Sequence, residues 1–277
     1  MLELGRMNRL VAVNKTEHGM YLAETEGSSE KVLLPGKELQ SLSAGEPVEV
    51  FLYKDSSDRL IATREKPLIM LHEVAKLTVS DVGKIGAFVN WGLPKDLLLP
   101  FREQTKKVQK GEEVLVALYV DKTGRLALTM NVYEYLQTDS PYHKDDKVMA
   151  RIYLVSKNFG AFAAVDDRYS ALIPRKELAK DPAVGDRIEC RIVEVLDDGK
   201  LTLSIREKSY AQMDTDAERI AEAIRERNGR LPFNDKADPE LIRQEFAMSK
   251  AQFKRAVGRL YKERRIDILE DAIILKE

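Results

Sequence analysis

The sequence predicts a multidomain, mainly β protein, with three small five-stranded barrels in tandem and a C-terminal α+β domain. One observation is a set of landmarks that recurs three times along the first three quarters of the chain. A second is the change from strand-like to helix-like periodicity after the third copy. Composition agrees, because 277 residues with 33% charged and 44% hydrophobic residues are typical of a soluble protein divided into small domains.

Each copy of the repeat has four landmarks in one order. A glycine-centred segment comes first, as His18-Gly19-Met20-Tyr21, Ile85-Gly86-Ala87-Phe88 and Phe159-Gly160-Ala161-Phe162. An apolar segment with a proline, a glycine–acid pair that opens an alternating run, and a last short strand follow it. The repeat indicates three modules of one kind, and it places domains at residues 1–66, 67–140, 141–211 and 212–277.

The third module shows why each copy is predicted to be a barrel. Its first strand alternates, with a buried face predicted at Val148, Ala150, Ile152 and Leu154 and the opposite face at Lys147, Met149, Arg151 and Tyr153. Gly160 falls where a barrel strand must bend. Several short strands around a proline-punctuated connection predict a five-stranded barrel of the oligonucleotide-binding (OB) fold.

On these residues the modules resemble the S1-type RNA-binding domain, whose usual pattern is Phe-Gly-Ala-Phe followed by a Leu-Val-His-type segment. In that family the two phenylalanines and the histidine lie on the face where bases stack. The resemblance implies that Phe159 and Phe162 form a stacking pair in module three, with Pro174 where the histidine usually stands. The alternative is that these rings are barrel core.

The other modules depart from the S1 pattern. Module two keeps Phe88 but has Ile85 for the first aromatic residue, and module one has His18 and Tyr21. Isoleucine offers a base no π-face, whereas stacking on an aromatic ring contributes about 1 to 3 kcal/mol. Module three is therefore the predicted RNA contact, and modules one and two are predicted to be mostly architectural. Trp91 follows Phe88 by three residues and is predicted to pack on the opposite side of the strand.

Basic residues accompany the aromatic pair of module three. They are candidates to neutralise phosphates, with a solvated basic surface as the alternative. The four residues are Arg151, Lys157, Arg175 and Lys176.

From Asp214 onward the sequence predicts helices. Three helix starts are predicted, from a capping box at 215–218, the N-cap and first-turn proline at 238–239, and a second capping box at 249–252. Asn228-Gly229 is predicted to end the first helix, and 231–233 is predicted as an extended link. Two apolar segments at 266–269 and 272–275 flank Glu270-Asp271 as a hairpin. Three helices and a hairpin predict a winged helix.

The third of these helices is basic. Between Lys250 and Arg265 there are seven basic residues and one acid, Glu263. This helix is a candidate phosphate-contacting surface, again with a solvated face as the alternative. Its candidate residues are Lys250, Lys254, Arg255, Arg259 and Lys262, of which the last three share one helical face by their spacing.

The sequence offers little for catalysis, and we predict no enzymatic activity, cofactor or metal. The three histidines are isolated, and the acid pairs fall in predicted turns or at strand starts. The single cysteine, Cys190, excludes an internal disulfide and a multi-cysteine zinc site, and it alternates with Ile188 and Ile192 as a core residue. No apolar segment suits a bilayer span or a signal core, which predicts a cytoplasmic protein without a membrane partner.

Three S1-type modules followed by a winged helix resemble the conserved virulence factor B family of bacterial proteins, over the whole chain and in domain order. The resemblance implies a non-enzymatic RNA-binding protein that regulates gene expression after transcription, with single-stranded RNA such as mRNA as ligand. The ribosome or a ribonuclease is a further candidate partner. Two alternatives stay open: a DNA-binding transcriptional regulator that reads through its winged helix, and an accessory subunit of an RNA-processing enzyme. The oligomeric state also stays open.

Overall fold

The computed structural model describes residues 2–39, 41–55, 57–178, 180–206 and 209–276, with only the backbone described for 209–215. The chain divides into two compact units, residues 1–205 and 206–277. The first contains the three repeated modules, and the second contains the helical region.

Each module is a five-stranded sheet with the strand connections of an OB barrel, which confirms the predicted fold class. Module one is a closed barrel in the order β1-β2-β3-β5-β4. Its strands are β1 (Met7–Thr16), β2 (Gly19–Ala23), β3 (Val32–Pro35), β4 (Pro47–Lys54) and β5 (Leu60–Thr63).

Module two has the same connections, in the sheet order β10-β9-β6-β7-β8. Its strands are β6 (Val74–Val82), β7 (Gly86–Asn90), β8 (Leu97–Pro100), β9 (Glu113–Val120) and β10 (Leu126–Thr129). Module three is a closed barrel again, in the order β11-β12-β13-β15-β14. Its strands are β11 (Lys147–Ser156), β12 (Gly160–Val165), β13 (Tyr169–Pro174), β14 (Arg187–Val195) and β15 (Leu201–Ser204).

A β-bulge in the first strand of each module bends the sheet toward closure. In module three it lies between Ile152 and Leu154. The glycine–acid pair of the repeat stabilises it, because the Ile152 N–H donates to the Asp186 carbonyl at 2.9 Å and the Gly185 N–H donates to the Ile152 carbonyl at 2.7 Å. Modules one and two repeat both the bulge and these hydrogen bonds.

The bulge corrects the predicted alternation of β11. Val148, Ala150 and Ile152 are buried as expected, but Tyr153 is 2% exposed and Leu154 is 36% exposed. Strict period two predicted the reverse for this last pair. The extra residue of a bulge inverts the two faces of a strand beyond it, so Leu154 reaches the outer surface.

A carboxylate–hydroxyl hydrogen bond fastens the last strand of each module. The carboxylate comes from a short 3-10 helix after the third strand, and the hydroxyl from the end of the fifth. The distances are 2.8 Å for Glu38 and Thr63, 2.8 Å for Glu103 and Thr129, and 2.6 Å for Glu177 and Ser204. These three bonds were not predicted from the sequence.

Aromatic and aliphatic contacts join the modules of the first unit. Trp91 is 1% exposed and meets Phe51 of module one edge-on, with ring centroids 5.6 Å apart. This confirms Trp91 as a packing residue. Between modules two and three, buried Tyr153 and Ala164 belong to one apolar cluster with residues of β9 and of the connection that contains Val132. That connection includes a 3-10 turn at Tyr133–Tyr135.

The second unit has three helices and a three-stranded sheet in the order β16-β18-β17, as a winged helix requires. Its elements are α1 (Ser209–Glu226), β16 (Arg230–Leu231), α2 (Pro239–Phe246), α3 (Lys250–Lys262), β17 (Ile266–Ile268) and β18 (Ile273–Leu275). None of the helices in the described part of the chain is long and apolar enough to cross a membrane.

Local signals set most of these boundaries. Asp238 caps α2 through its side chain, and Ser249 and Gln252 form the predicted capping box of α3. Two predictions were wrong. Helix α1 begins at Ser209, before Asp214 and the capping box at 215–218, where the sequence predicted the first helix to start. The predicted link at 231–233 begins in β16, which pairs with β18 and so gains backbone hydrogen bonds that an isolated link would lack.

Candidate nucleic-acid interface

An apolar groove crosses the outer face of module three. Its floor is a row of residues that face one another across strands β11, β12, β13 and β15. Leu154 pairs with Phe162, Phe162 with Leu172, and Leu172 with Thr202. The groove has a volume of about 620 Å³ and is also lined by Phe159.

The predicted stacking pair lies in this groove. Phe159, in the turn between β11 and β12, is 64% exposed, which excludes a core role for that ring. Phe162 is half-buried, and the two ring centroids are 6.4 Å apart at an interplanar angle of 63°. The backbone holds Phe159 in place, since its carbonyl accepts a 3.0 Å hydrogen bond from the Arg175 N–H.

This backbone contact explains the central glycine of the repeat. Gly160 has a φ of +116°, and a Cβ there would overlap the carbonyl oxygen of Ile173. Only glycine accommodates both the dihedral angle and the close approach. The turn that carries Phe159 is therefore pinned against β13.

The four basic residues predicted around the pair do not all lie near it. Lys157, Arg175 and Lys176 are exposed at the Phe159 end of module three, where Arg175 also pairs with Asp181. Arg151 is elsewhere: its side chain is 11% exposed, and it donates to both Asp167 oxygens at 2.5 and 3.0 Å. Arg151 lines a different, small cavity with Lys106 and Val184 of the adjoining segments. Three of the four predicted cations are therefore exposed on segments that adjoin the Phe159 turn.

Sequence reasoning missed residues at the opposite end of the groove. Tyr133, from the connection between modules two and three, lies edge-on to Phe162 with centroids 5.8 Å apart. Lys200 places its Nζ 5.2 Å from the centre of the Tyr133 ring and donates to Asp198 Oδ2 at 2.8 Å. The hydrogen bond with Asp198 raises the pKa of Lys200 above its ordinary value, so this amine is charged at neutral pH. Tyr133 lies outside the repeat, so no repeat position signals it.

Modules one and two carry other side chains at the equivalent positions. Tyr21 and Phe88 occupy the place of Phe162, opposite a leucine of the neighbouring strand in both cases. His18 and Ile85 occupy the place of Phe159 and are exposed. Their carbonyls accept the same backbone hydrogen bond, at 3.0 and 3.3 Å respectively.

Module one partly covers the equivalent face of module two. A cleft of about 250 Å³ there is lined by Phe88 together with Tyr53 and Asp58 of the β4–β5 hairpin of module one. Arg125 of module two donates to Asp58 through Nε at 2.7 Å and through Nη2 as well. The groove of module three has the larger volume, about 620 Å³ against about 250 Å³.

Helix α3 in the second unit exposes fewer cations than its sequence suggests. Lys254, Arg255 and Lys262 are exposed. The Arg259 side chain is 18% exposed and donates to Glu263 Oε1 at 2.8 Å. Lys250 donates through Nζ to the Lys236 carbonyl at 3.2 Å. Three of the five candidate cations of this helix are therefore exposed to solvent.

The described residues hold no group of three or more histidine, cysteine, aspartate or glutamate side chains that could bind a metal ion. Cys190 is buried as predicted, and burial raises the pKa of its thiol to about 11. A protonated, buried thiol is a poor nucleophile.

Fold and groove together define a class of protein, with tandem S1-type barrels followed by a winged helix. Family models agree along the chain: an S1 domain matches residues 4–65 and 73–131, the second domain of the virulence regulatory factor CvfB matches 133–207, and a CvfB-like winged helix domain matches 218–275. The chain belongs to the conserved virulence factor B family.

Two sequence relatives support this assignment. "Conserved virulence factor B" of Staphylococcus aureus (strain N315) is 32% identical over 84% of this chain and 81% of its own length. "Uncharacterized protein YitL" of Bacillus subtilis (strain 168) is 33% identical over 95% and 90%. A crystal structure of a multidomain protein with nucleic acid binding domains from Streptococcus pneumoniae covers 99% of this chain and 98% of its own, at 22% identity and a TM-score of 0.48.

Proposed function

We propose that this protein binds single-stranded RNA in the groove of module three and regulates gene expression after transcription, without catalytic activity. The observation that carries the proposal is Phe159, a phenylalanine 64% exposed beside Phe162 over an apolar floor. Contiguous exposed apolar surface on a soluble protein commonly marks a binding site. Unpaired bases suit such a surface because each presents a π-face.

The charges around the groove favour a nucleic acid over an apolar peptide. Lys157, Arg175 and Lys176 are exposed on the two segments that adjoin the Phe159 turn, where the Arg175 N–H donates to the Phe159 carbonyl, and Lys200 lines the groove beside Tyr133. A strand whose bases stack on Phe159 and Phe162 would carry its phosphates toward these cations. Duplex bases are already stacked on one another, so the groove favours a single strand.

Helix α3 supplies the second part of the proposal. Its exposed Lys254, Arg255 and Lys262 are suited to phosphate contacts that do not depend on sequence. The same helix is the basis of the rival proposal, a transcriptional regulator that reads duplex DNA. The groove of module three favours a single strand over a duplex, and a competition between single-stranded RNA and duplex DNA separates the two proposals.

The test is a binding titration of the full chain with single-stranded RNA, comparing wild type with the double variant Phe159→Ala and Phe162→Ala. We expect a loss of about 2 to 4 kcal/mol, because two bases lose their stacking surface. Ile85→Ala is the matched control, since it removes an exposed apolar side chain from the equivalent turn of module two. Thermal melting shows whether each variant is folded.

Two results would contradict the proposal. One is unchanged RNA affinity in the folded double variant. The other is duplex DNA that displaces single-stranded RNA from the wild type at equal concentration, which would favour the transcriptional regulator. EDTA in every titration keeps metal-dependent cleavage from being mistaken for dissociation.

A further inference from the structure

The groove of module three extends beyond the pair that S1-type domains provide. Tyr133 borders it from the connection between modules, 38% exposed and edge-on to Phe162. The three rings therefore lie in the order Phe159, Phe162, Tyr133, with neighbouring centroids 6.4 and 5.8 Å apart. Leu196, 40% exposed, lines the groove together with Tyr133 and Lys200.

We propose that Tyr133 is a third base platform and that Lys200 contacts the phosphate of the nucleotide that stacks there. This inference rests on the proposed RNA-binding function and extends the site by one nucleotide. Lys200 is held for that role, since Asp198 binds its Nζ at 2.8 Å and the Tyr133 ring lies 5.2 Å away. Lys200 lies over one face of the Tyr133 ring, so the base would stack on the opposite face while the amine contacts the phosphate.

Tyr133 lies in the connection between modules two and three, so its position depends on how these modules pack. Val132 and Leu136, on either side of its turn, are buried in the cluster that joins modules two and three. The packing of two modules thus sets the distance between the third platform and the first two. The complete site exists only when modules two and three are packed together.

The experiment measures the affinity of the full chain for oligouridylates of two to eight nucleotides, in wild type, Tyr133→Leu and Tyr133→Phe. Leucine keeps the apolar contact but removes the π-face, whereas phenylalanine keeps the ring. For the longer oligomers we expect Tyr133→Leu to bind roughly 5- to 150-fold more weakly and Tyr133→Phe to bind like wild type. The shortest oligomers should bind all three proteins alike, because they cover only Phe159 and Phe162.

If Tyr133 has a purely structural role, Tyr133→Leu should lower the RNA affinity by the same factor at every oligomer length. That result would overturn the inference. So would wild-type affinity of Tyr133→Leu at all lengths. If Tyr133→Leu binds like wild type but the Phe159 and Phe162 double variant binds RNA more weakly, the proposed function survives without the third platform. Lys200→Gln adds a second readout, an expected decrease of up to about 0.7 in the slope of log affinity against log salt for the longer oligomers only, because Asp198 already offsets part of the Lys200 charge. An unchanged slope would remove Lys200 from the site.

Discussion

Replacing Lys254, Arg255 and Lys262 with alanine removes the three exposed cations of helix α3. On a single strand each phosphate contact contributes about 0.7 to the slope of log affinity against log salt concentration. If all three side chains contact RNA, the slope should become shallower by up to about 2 units. Preference among RNA sequences should stay the same, because phosphates carry no base information.

The assay is RNA affinity of the full chain at several salt concentrations. Arg259→Ala makes an informative comparison: its guanidinium already pairs with Glu263 at 2.8 Å, so the slope should change by less than one full contact. The triple variant Arg225→Ala, Arg243→Ala and Lys236→Ala is the matched control, because it makes the same change in net charge on other parts of the second unit.

An identical slope in wild type and the α3 variant, with both folded, would refute the reasoning and leave the basic helix as a solvated surface. Equal flattening by the control triple variant would also refute it, since the effect would then follow net charge and not the α3 surface.

Two further predictions concern stability and reactivity. Glu103→Ala should lower the free energy of unfolding by about 1 to 3 kcal/mol, because it removes the carboxylate that accepts from the buried Thr129 hydroxyl at 2.8 Å. Chemical denaturation measures this, with the exposed Glu134→Ala as the control. Equal denaturation midpoints for the two variants would contradict the role given to this hydrogen bond. Cys190 should react with a thiol reagent far more slowly in the native than in the unfolded protein at pH 8, because burial raises its pKa to about 11. The native state holds this proton more tightly than the unfolded state, so the associated stability is complete below pH 9 and is lost as the pH rises toward about 11. Rapid native reactivity at pH 8 would show that the thiol is accessible.

The repeat made the fold predictable, since glycines, prolines and alternating apolar residues act locally. The bulge in β11 was not predictable in this way. It depends on hydrogen bonds between Ile152 and the pair Gly185 and Asp186, some thirty residues further along the chain, and it exchanges the faces of Tyr153 and Leu154. Period-two reasoning assumes an uninterrupted strand, and it fails where a distant segment inserts an extra residue.

In the candidate site, too, local sequence predicts some positions, whereas others depend on distant segments of the chain. Phe159 was predicted at the surface because the S1 pattern marks its position, and it is exposed. Arg151 is close in sequence but points to Asp167, a pairing that depends on how the β11 and β12 strands align. Tyr133 belongs to a connection between modules, and its approach to Phe162 depends on how two modules pack. Charge counts and motifs carry no information on either arrangement.

The turn before the second strand of each module has a further consequence, for how such a protein can change. His18, Ile85 and Phe159 occupy this turn in the three modules. In each case the backbone carbonyl accepts a hydrogen bond from the first residue of the 3-10 helix after the third strand. The side chain takes no part in this hydrogen bond, so it can be substituted while the hydrogen bond is kept. Duplicated modules can in this way keep a common frame while one copy is specialised for a ligand and the others for packing. Such divergence would produce different residues at this position in the three copies, as is the case for His18, Ile85 and Phe159.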